Sequence, residues 1–248
     1  MLTVETDPVA VEQRLGSGRL ACPGCSGVLA GWGSARGRPV RDTDAALWIV
    51  PRRARCTGCR ATHVLLPVVL LVRRADTAAV IGAGLTAKAT GAGHRLIAAL
   101  LGRPAETVRG WLRRFAGRVE AVRAVFTGWC RDLTPDPVLP GPAGSAWADA
   151  IAAVLAVAAA VGARFSIGEV PVWQTASAVS GARLLLPGWP VPADRVDQHE
   201  FTLTLADLPR DHRRWSGHRR GETTNNEEVA LRWGPEQMTR PRDPSGPG

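Results

Sequence analysis

The sequence contains no tyrosine, one lysine (Lys88), two methionines and four phenylalanines in 248 residues. Lysine and tyrosine are scarce while alanine, arginine, glycine and proline are abundant, which is the mark of a high-GC coding bias. Arginine number alone is therefore no evidence of function, and the placement of charge has to carry that argument. Long apolar runs are also scarce. The N-terminal stretch MLTVETDPVAVEQRL is acidic and lacks the apolar core of a secretory signal. Val64 to Val72 is too short to span a bilayer. Ala146 to Ala163 is long enough only marginally, is mostly alanine and includes Asp149, so it is expected as a buried helix. Together these predict a cytoplasmic protein with no membrane partner.

Catalytic constellations are missing as well. Gly82-Ala-Gly84 lacks the strand-to-helix setting of a phosphate loop. Asp132, Asp149, Glu169, Asp194, Asp197, Glu200 and Asp207 lie in the second half, but none ends a convincing strand, and the region leaves no room for the sheet that a metal-dependent carboxylate nuclease needs. No enzyme activity is expected.

The charge that is present is unevenly placed. The chain carries a net +9, yet residues 14–123 hold 19 Lys and Arg against 5 Asp and Glu. A basic half of this kind suits a polyanionic partner.

Five cysteines without a secretory signal point to a reducing compartment and a metal site. Cys22-Pro-Gly-Cys25 and Cys56-Thr-Gly-Cys59 are matched knuckles. Each folds so that two thiolates face one ion, Gly24 and Gly58 are expected to permit the turns, and four sulfurs make a closed tetrahedral Zn2+ site. A redox pair would need one reactive C-x-x-C, so two matched pairs disfavour it. His63 is an alternative ligand if one cysteine does not bind. Cys130 stands alone and reads as a buried thiol.

Gly93 to Arg118 is the stretch around which the chain is organised. Leu96, Ile97, Leu100 and Leu101 form an apolar stripe at helical spacing. Gly102 ends that helix and Pro104 opens the next. The second helix would bury Val108, Leu112 and Phe115, with Trp111 at the edge. Helix, tight turn and basic helix predict a helix-turn-helix whose second helix enters the major groove of double-stranded DNA. The candidate DNA-contacting residues are Arg103, Ala105, Glu106, Thr107, Arg109, Arg113, Arg114 and Arg118. Arg109 and Arg113 would face base edges, and Arg114, Arg118, Arg52, Arg53 and Arg55 would contact phosphates.

The fold class expected is mainly α with a small β zinc ribbon. A ribbon occupies 1–72 and a trihelical DNA-binding domain 73–130. Asp76 would cap the domain's first helix, with Ala79, Val80, Ala83 and Leu85 inward. A Pro-rich linker covers 131–144 and an Ala-rich helical module 145–190, apolar enough to pack on the first domain or on a second copy as a homodimer. An irregular, disordered tail covers 191–248.

The Cys-Pro-x-Cys start, Arg55-Cys-Thr-Gly-Cys-Arg-Ala-Thr-His-Val-Leu-Leu-Pro67 and Gly93-His-Arg-Leu-Ile-Ala through Thr107-Val-Arg-Gly-Trp-Leu-Arg-Arg-Phe115 resemble an uncharacterised family from high-GC bacteria. Its members join a zinc ribbon to a helix-turn-helix and are associated with insertion-sequence transposases. The resemblance implies Cys22, Cys25, Cys56 and Cys59 as zinc ligands and the Pro104–Phe115 helix as the DNA reader. It implies a transposon-associated accessory or regulatory factor at element-end or promoter DNA, alongside a separately encoded transposase. An adaptor that binds the transposase, and a truncated transposase remnant, are the alternatives.

Overall fold

A computed structural model describes residues 1–166 and 168–190 together with the strand backbone at 229–231. The expected disordered tail lies, apart from that strand, outside the described residues. The architecture is mixed α/β, with seven helices and two small sheets among the described residues.

The N-terminal segment forms both a strand and a helix. β1 (Leu2–Val4) runs parallel to β6 (Thr62–Pro67), and α1 (Pro8–Gly16) follows, capped by the Asp7 side chain. A buried ion pair, Arg14 Nη1 to Glu5 Oε2 at 2.7 Å, ties helix to strand. β2 (Leu29–Ser34) and β5 (Arg52–Cys56) complete a four-stranded sheet in the order β1-β6-β5-β2. Between β2 and β5 a second hairpin, β3 (Arg38–Arg41) and β4 (Ala46–Ile49), leaves the ribbon; β7 (Val229–Leu231) pairs parallel to β4. This hairpin is why the gap between the knuckles is long.

The helical half comprises α2 (Ala78–Ala89), α3 (His94–Leu101), α4 (Ala105–Ala116), α5 (Val119–Leu133), α6 (Ala146–Phe165) and α7 (Val172–Val179). Thr77, not Asp76, caps α2: its Oγ1 accepts from the Val80 N–H at 3.3 Å. Asp76 is instead a buried junction, accepting from Arg41 at 2.7 Å and from Arg103 at 2.6 Å. α2 buries Val80, Ile81, Gly82, Gly84 and Leu85, while Ala79 and Ala83 face outward. The glycines explain the rotation. A Cβ on Gly82 would fall inside the Trp173 ring, and one on Gly84 would crowd Ile97 and Leu101. Two neighbouring helices thus approach the α2 backbone, and Ala would be too large at Gly82.

Gly102, left-handed at φ 61°, ends α3 as expected. One apolar core runs through both sides of 131–144, from Val68 and Leu71 through α2–α5 to Val154, Val157, Leu184 and Trp189. Phe115 and Trp147, with ring centroids 4.8 Å apart, join α4 to α6. The Trp147 indole N–H also donates to the Leu85 carbonyl at 3.0 Å. Among the described residues, only α6 is long and apolar enough to cross a membrane by length and composition; its Ala150, Ile151, Val154, Val157 and Val161 are buried in the core.

Candidate metal centre and basic helix face

The two knuckles are related by a local symmetry that their sequences share. The Cys22 N–H donates to the Gly27 carbonyl at 2.7 Å, and the Cys56 N–H to the Ala61 carbonyl at 2.8 Å. The residue after each second cysteine, Ser26 and Arg60, takes the left-handed conformation, with φ 57° and 65°. The left-handed residue of each knuckle is therefore the one after its second cysteine, and neither Gly24 nor Gly58 has a positive φ. The glycine that proximity demands is Gly27, where a Cβ would sit 3.0 Å from the Cys56 sulfur and 3.3 Å from that of Cys25.

The arrangement brings Cys22, Cys25, Cys56 and Cys59 together, with all four sulfurs within 4.8 Å of one another. Cys22 and Cys59 are 3.7 Å apart and Cys25 and Cys56 3.4 Å. Metal–sulfur bonds of about 2.3 Å in a tetrahedron require sulfur pairs about 3.8 Å apart, so the cluster fits one such ion. The thiol electrostatics agree. Hydrogen bonding from the Gly27 N–H, reinforced by Cys56 and Cys59, pulls Cys25 down to about 6. The Ala61 N–H favours a Cys59 thiolate, yet Cys25, Cys56 and desolvation together push that thiol up to about 11. The sulfurs around Cys59 thus oppose its ionisation, a penalty that a cation held among them would relieve.

His63 stands beside this cluster. Its Nε2 lies 3.4 Å from the Cys22 sulfur and its Nδ1 3.2 Å from the Met1 amine. Burial, followed by that positive amine, lowers its pKa. The imidazole is thus favoured in its neutral form, able to donate Nε2–H to Cys22 and so to orient a ligand. Cys130 is buried in the helical half, and desolvation raises its pKa.

The second candidate site is the outward face of α4. Val108, Trp111, Leu112 and Phe115 lock the helix into the core; Trp111, expected at the edge, is only 3% exposed. The opposite face presents Glu106, Arg109 and Arg113 to solvent, with Ala105 and Thr107 half-buried. Arg109 reaches Glu106 at 3.4 Å, a surface pair that a competing anion can displace. Arg114 and Arg118 sit at the helix's C-terminal end. Arg114 donates to the Gly110 carbonyl and Arg118 to the Arg114 carbonyl. Arg74, from the segment before α2, is close enough that burial and then repulsion by Arg114 and Arg118 lower its pKa. Sequence reasoning missed Arg74, since nothing in the local pattern marks a residue that folding brings to α4.

Arg103 does not belong to this face. Its side chain is 11% exposed and binds Asp76, the Asp42 carbonyl at 2.6 Å and the Leu101 carbonyl at 3.0 Å. It fixes the α3–α4 turn to the β3–β4 hairpin. Arg52 is also occupied, by Glu12 at 2.6 Å and the Gly33 carbonyl at 2.8 Å. Arg53 and Arg55 remain on the ribbon's outer face.

Residues 22–101 are similar to a family described as "Domain of unknown function (DUF6431)". That span runs from the first clustered cysteine to the end of α3 and stops short of α4. No curated protein matches the chain, and no solved structure matches it.

Proposed function

We propose that the chain is a zinc-containing helix-turn-helix DNA-binding protein that serves a mobile element as an accessory or regulatory factor at element-end or promoter DNA. The observation that carries the reading is the two-sidedness of α4. Four apolar residues seat it, and its free face carries Arg109 and Arg113 from a helix that follows a tight Gly-containing turn. A helix so held can enter a major groove about 12 Å wide and offer bidentate arginines to guanine edges. Arg114 and Arg118, with Arg74 nearby, favour the phosphates at the same helix end. Zinc is the ion that suits four thiolates in a closed site, and its role there is to hold the ribbon rather than to activate water. The role is binding rather than catalysis.

The test is a selection from random double-stranded DNA with the full zinc-loaded chain, metal content being checked by elemental analysis. One enriched site is expected. Arg109→Ala should weaken that site by about 1–3 kcal/mol and relax the preference at one or two positions. Equal loss on selected and random DNA would refute base reading by Arg109.

A second reading is favoured by one apolar surface. Cys130, Val138, Leu155, Ala156, Ala159 and Ala163 line a groove of about 550 Å³ along α6. That surface suits an adaptor docking on a transposase, which predicts weak, salt-sensitive DNA binding without a preferred site.

A further inference from the structure

The outer face of the ribbon sheet combines arginines with an exposed tryptophan. β5 alternates: Ala54 and Cys56 point into the ribbon core, and Arg53 and Arg55 point away from it. Across the strands, Ala30 lies opposite Arg55 on β2, while Thr62 and Val64 lie opposite Arg55 and Arg53 on β6. None of these residues carries a carboxylate. Among the described residues, Arg53, Arg55 and Arg60 form no ion pair.

An aromatic ring sits in the middle of this basic face. Gly31 pairs with Ala54 and Ser34 with Arg52, so Trp32 and Gly33 together oppose Arg53. The extra residue is a bulge with Gly33 left-handed at φ 78°, a device that re-aims a side chain. Trp32 is 51% exposed, whereas Trp111, Trp129 and Trp189 are buried. The ring is nonetheless held. The Arg55 guanidinium lies 4.7 Å from its centroid, and Arg55 Nε donates to the Arg60 carbonyl at 3.2 Å, which fixes the guanidinium. An indole stacked on one side by a fixed arginine, in a bulge opposite an Arg53 with no ion pair among the described residues, is a platform for one more planar group bearing negative charge.

We infer that this face binds single-stranded nucleic acid, with an unpaired base stacking on Trp32 and the flanking phosphates held by Arg53, Arg55 and Arg60. Single strand is the occupant because base faces are hidden inside a duplex and open only on unpaired nucleotides. The surface is distinct from α4, so the inference extends the nucleic-acid reading without depending on which duplex α4 reads.

The test uses the full zinc-loaded chain and fluorescence anisotropy with a labelled 12-mer oligothymidine, its abasic counterpart of equal charge, and a random duplex. Wild type should prefer oligothymidine to the abasic strand. Trp32→Ala should lose roughly 5- to 150-fold on oligothymidine, the range spanned by stacking one base. Its affinity for the abasic strand and the duplex should be unchanged. Trp32→Phe should recover much of the loss, and Arg53→Ala should lower the single-strand salt slope by about 0.7. Unchanged metal content and circular dichroism exclude misfolding of either Trp32 variant. Equal binding of oligothymidine and abasic strand by wild type would overturn the stacking platform, as would a Trp32→Ala loss shared equally by the duplex. Arg109→Ala should affect only the duplex arm, so failure of the α4 reading and failure of this one are separable.

Discussion

The ribbon and the helical half are folded by different means. The ribbon's buried cluster is small, with Leu2, Val4, Val11, Leu15, Leu20, Leu29, Ala54 and Leu65 around Cys22 and Cys56. Two of its members are ligand candidates, so its core is incomplete without what the sulfurs hold. The helical half has a continuous apolar core from Val68 to Trp189 that includes Phe115, Phe126 and Ile81, all fully buried. Sulfur chemistry closes the first region and apolar burial closes the second. The sheet with the clustered cysteines can therefore be thin and expose both Trp32 and a basic face, whereas the helices commit most of their large side chains inward.

The sharpest way to break this comparison is to remove the metal. Apparent binding free energies of structural zinc are on the order of 10–16 kcal/mol, more than the net stability of a typical domain. Chelation, or Cys56→Ser, should abolish stoichiometric metal and unprotect the amides of β2, β5 and β6. The helical signal in circular dichroism should largely remain. Retained amide protection in a metal-free ribbon would show that the small apolar cluster suffices alone.

The converse experiment strikes the helical core. Phe115 is fully buried and packs on Trp147 of α6. Phe115→Ala should destabilise the helical half by about 3–5 kcal/mol while leaving one metal per chain, as read by thermal melting and elemental analysis. Loss of metal along with the melt would mean that the two regions fold as one unit.

The junction between them should give an intermediate effect. Asp76, with a side chain 2% exposed, receives Arg41 from the β3–β4 hairpin and Arg103 from the α3–α4 turn. Asp76→Asn keeps the shape but weakens both charge-assisted bonds. The Arg41 side chain is 42% exposed and partly screened by water, so the expected loss is about 1–3 kcal/mol. Amide exchange should quicken in both the hairpin and the α3–α4 turn. A change confined to one side would deny Asp76 its bridging role.

These contrasts also explain what was legible in the sequence. The cysteine knuckles could be read because thiolate geometry constrains spacing locally, and the Gly102 stop could be read because it is a backbone requirement. Capping of α6 by Ser145 follows from an equally local rule, Ser being a favoured N-cap: its Oγ accepts from the Ala148 N–H at 3.1 Å. Asp76 was misassigned because capping is local and its partners are not; Arg41 and Arg103 lie 35 and 27 residues away. Arg103, a candidate DNA contact by its sequence position, is drawn away from the α4 face by partners just as distant, Asp76 and the Asp42 carbonyl. By local propensity Gly82 and Gly84 weaken a helix, yet each admits side chains of a neighbouring helix against the α2 backbone. The parallel β1–β6 pairing joins residues more than sixty positions apart, which no local pattern encodes.

The smallest expected effect tests the rotation of α3. Apolar spacing alone puts Leu96, Ile97, Leu100 and Leu101 on one inward stripe, but Leu96 is 56% and Leu100 70% exposed, while Ile97 and Ala98 are buried. The helix turns its smaller Ala98 inward because α2 approaches through Gly84, against which Ile97 and Leu101 pack. Leucines that look like core from their spacing are thus displaced to the surface by the close backbone approach of the neighbouring helix. Leu100→Ser should then change stability by no more than about 0.5 kcal/mol in a denaturant melt, as surface substitutions do. If α3 were instead rotated to bury the full leucine stripe, the same change would place a hydroxyl in the core and cost about 2 kcal/mol or more. A loss of that size would overturn the contrast between a helical half organised by close backbone packing and one organised by apolar periodicity alone.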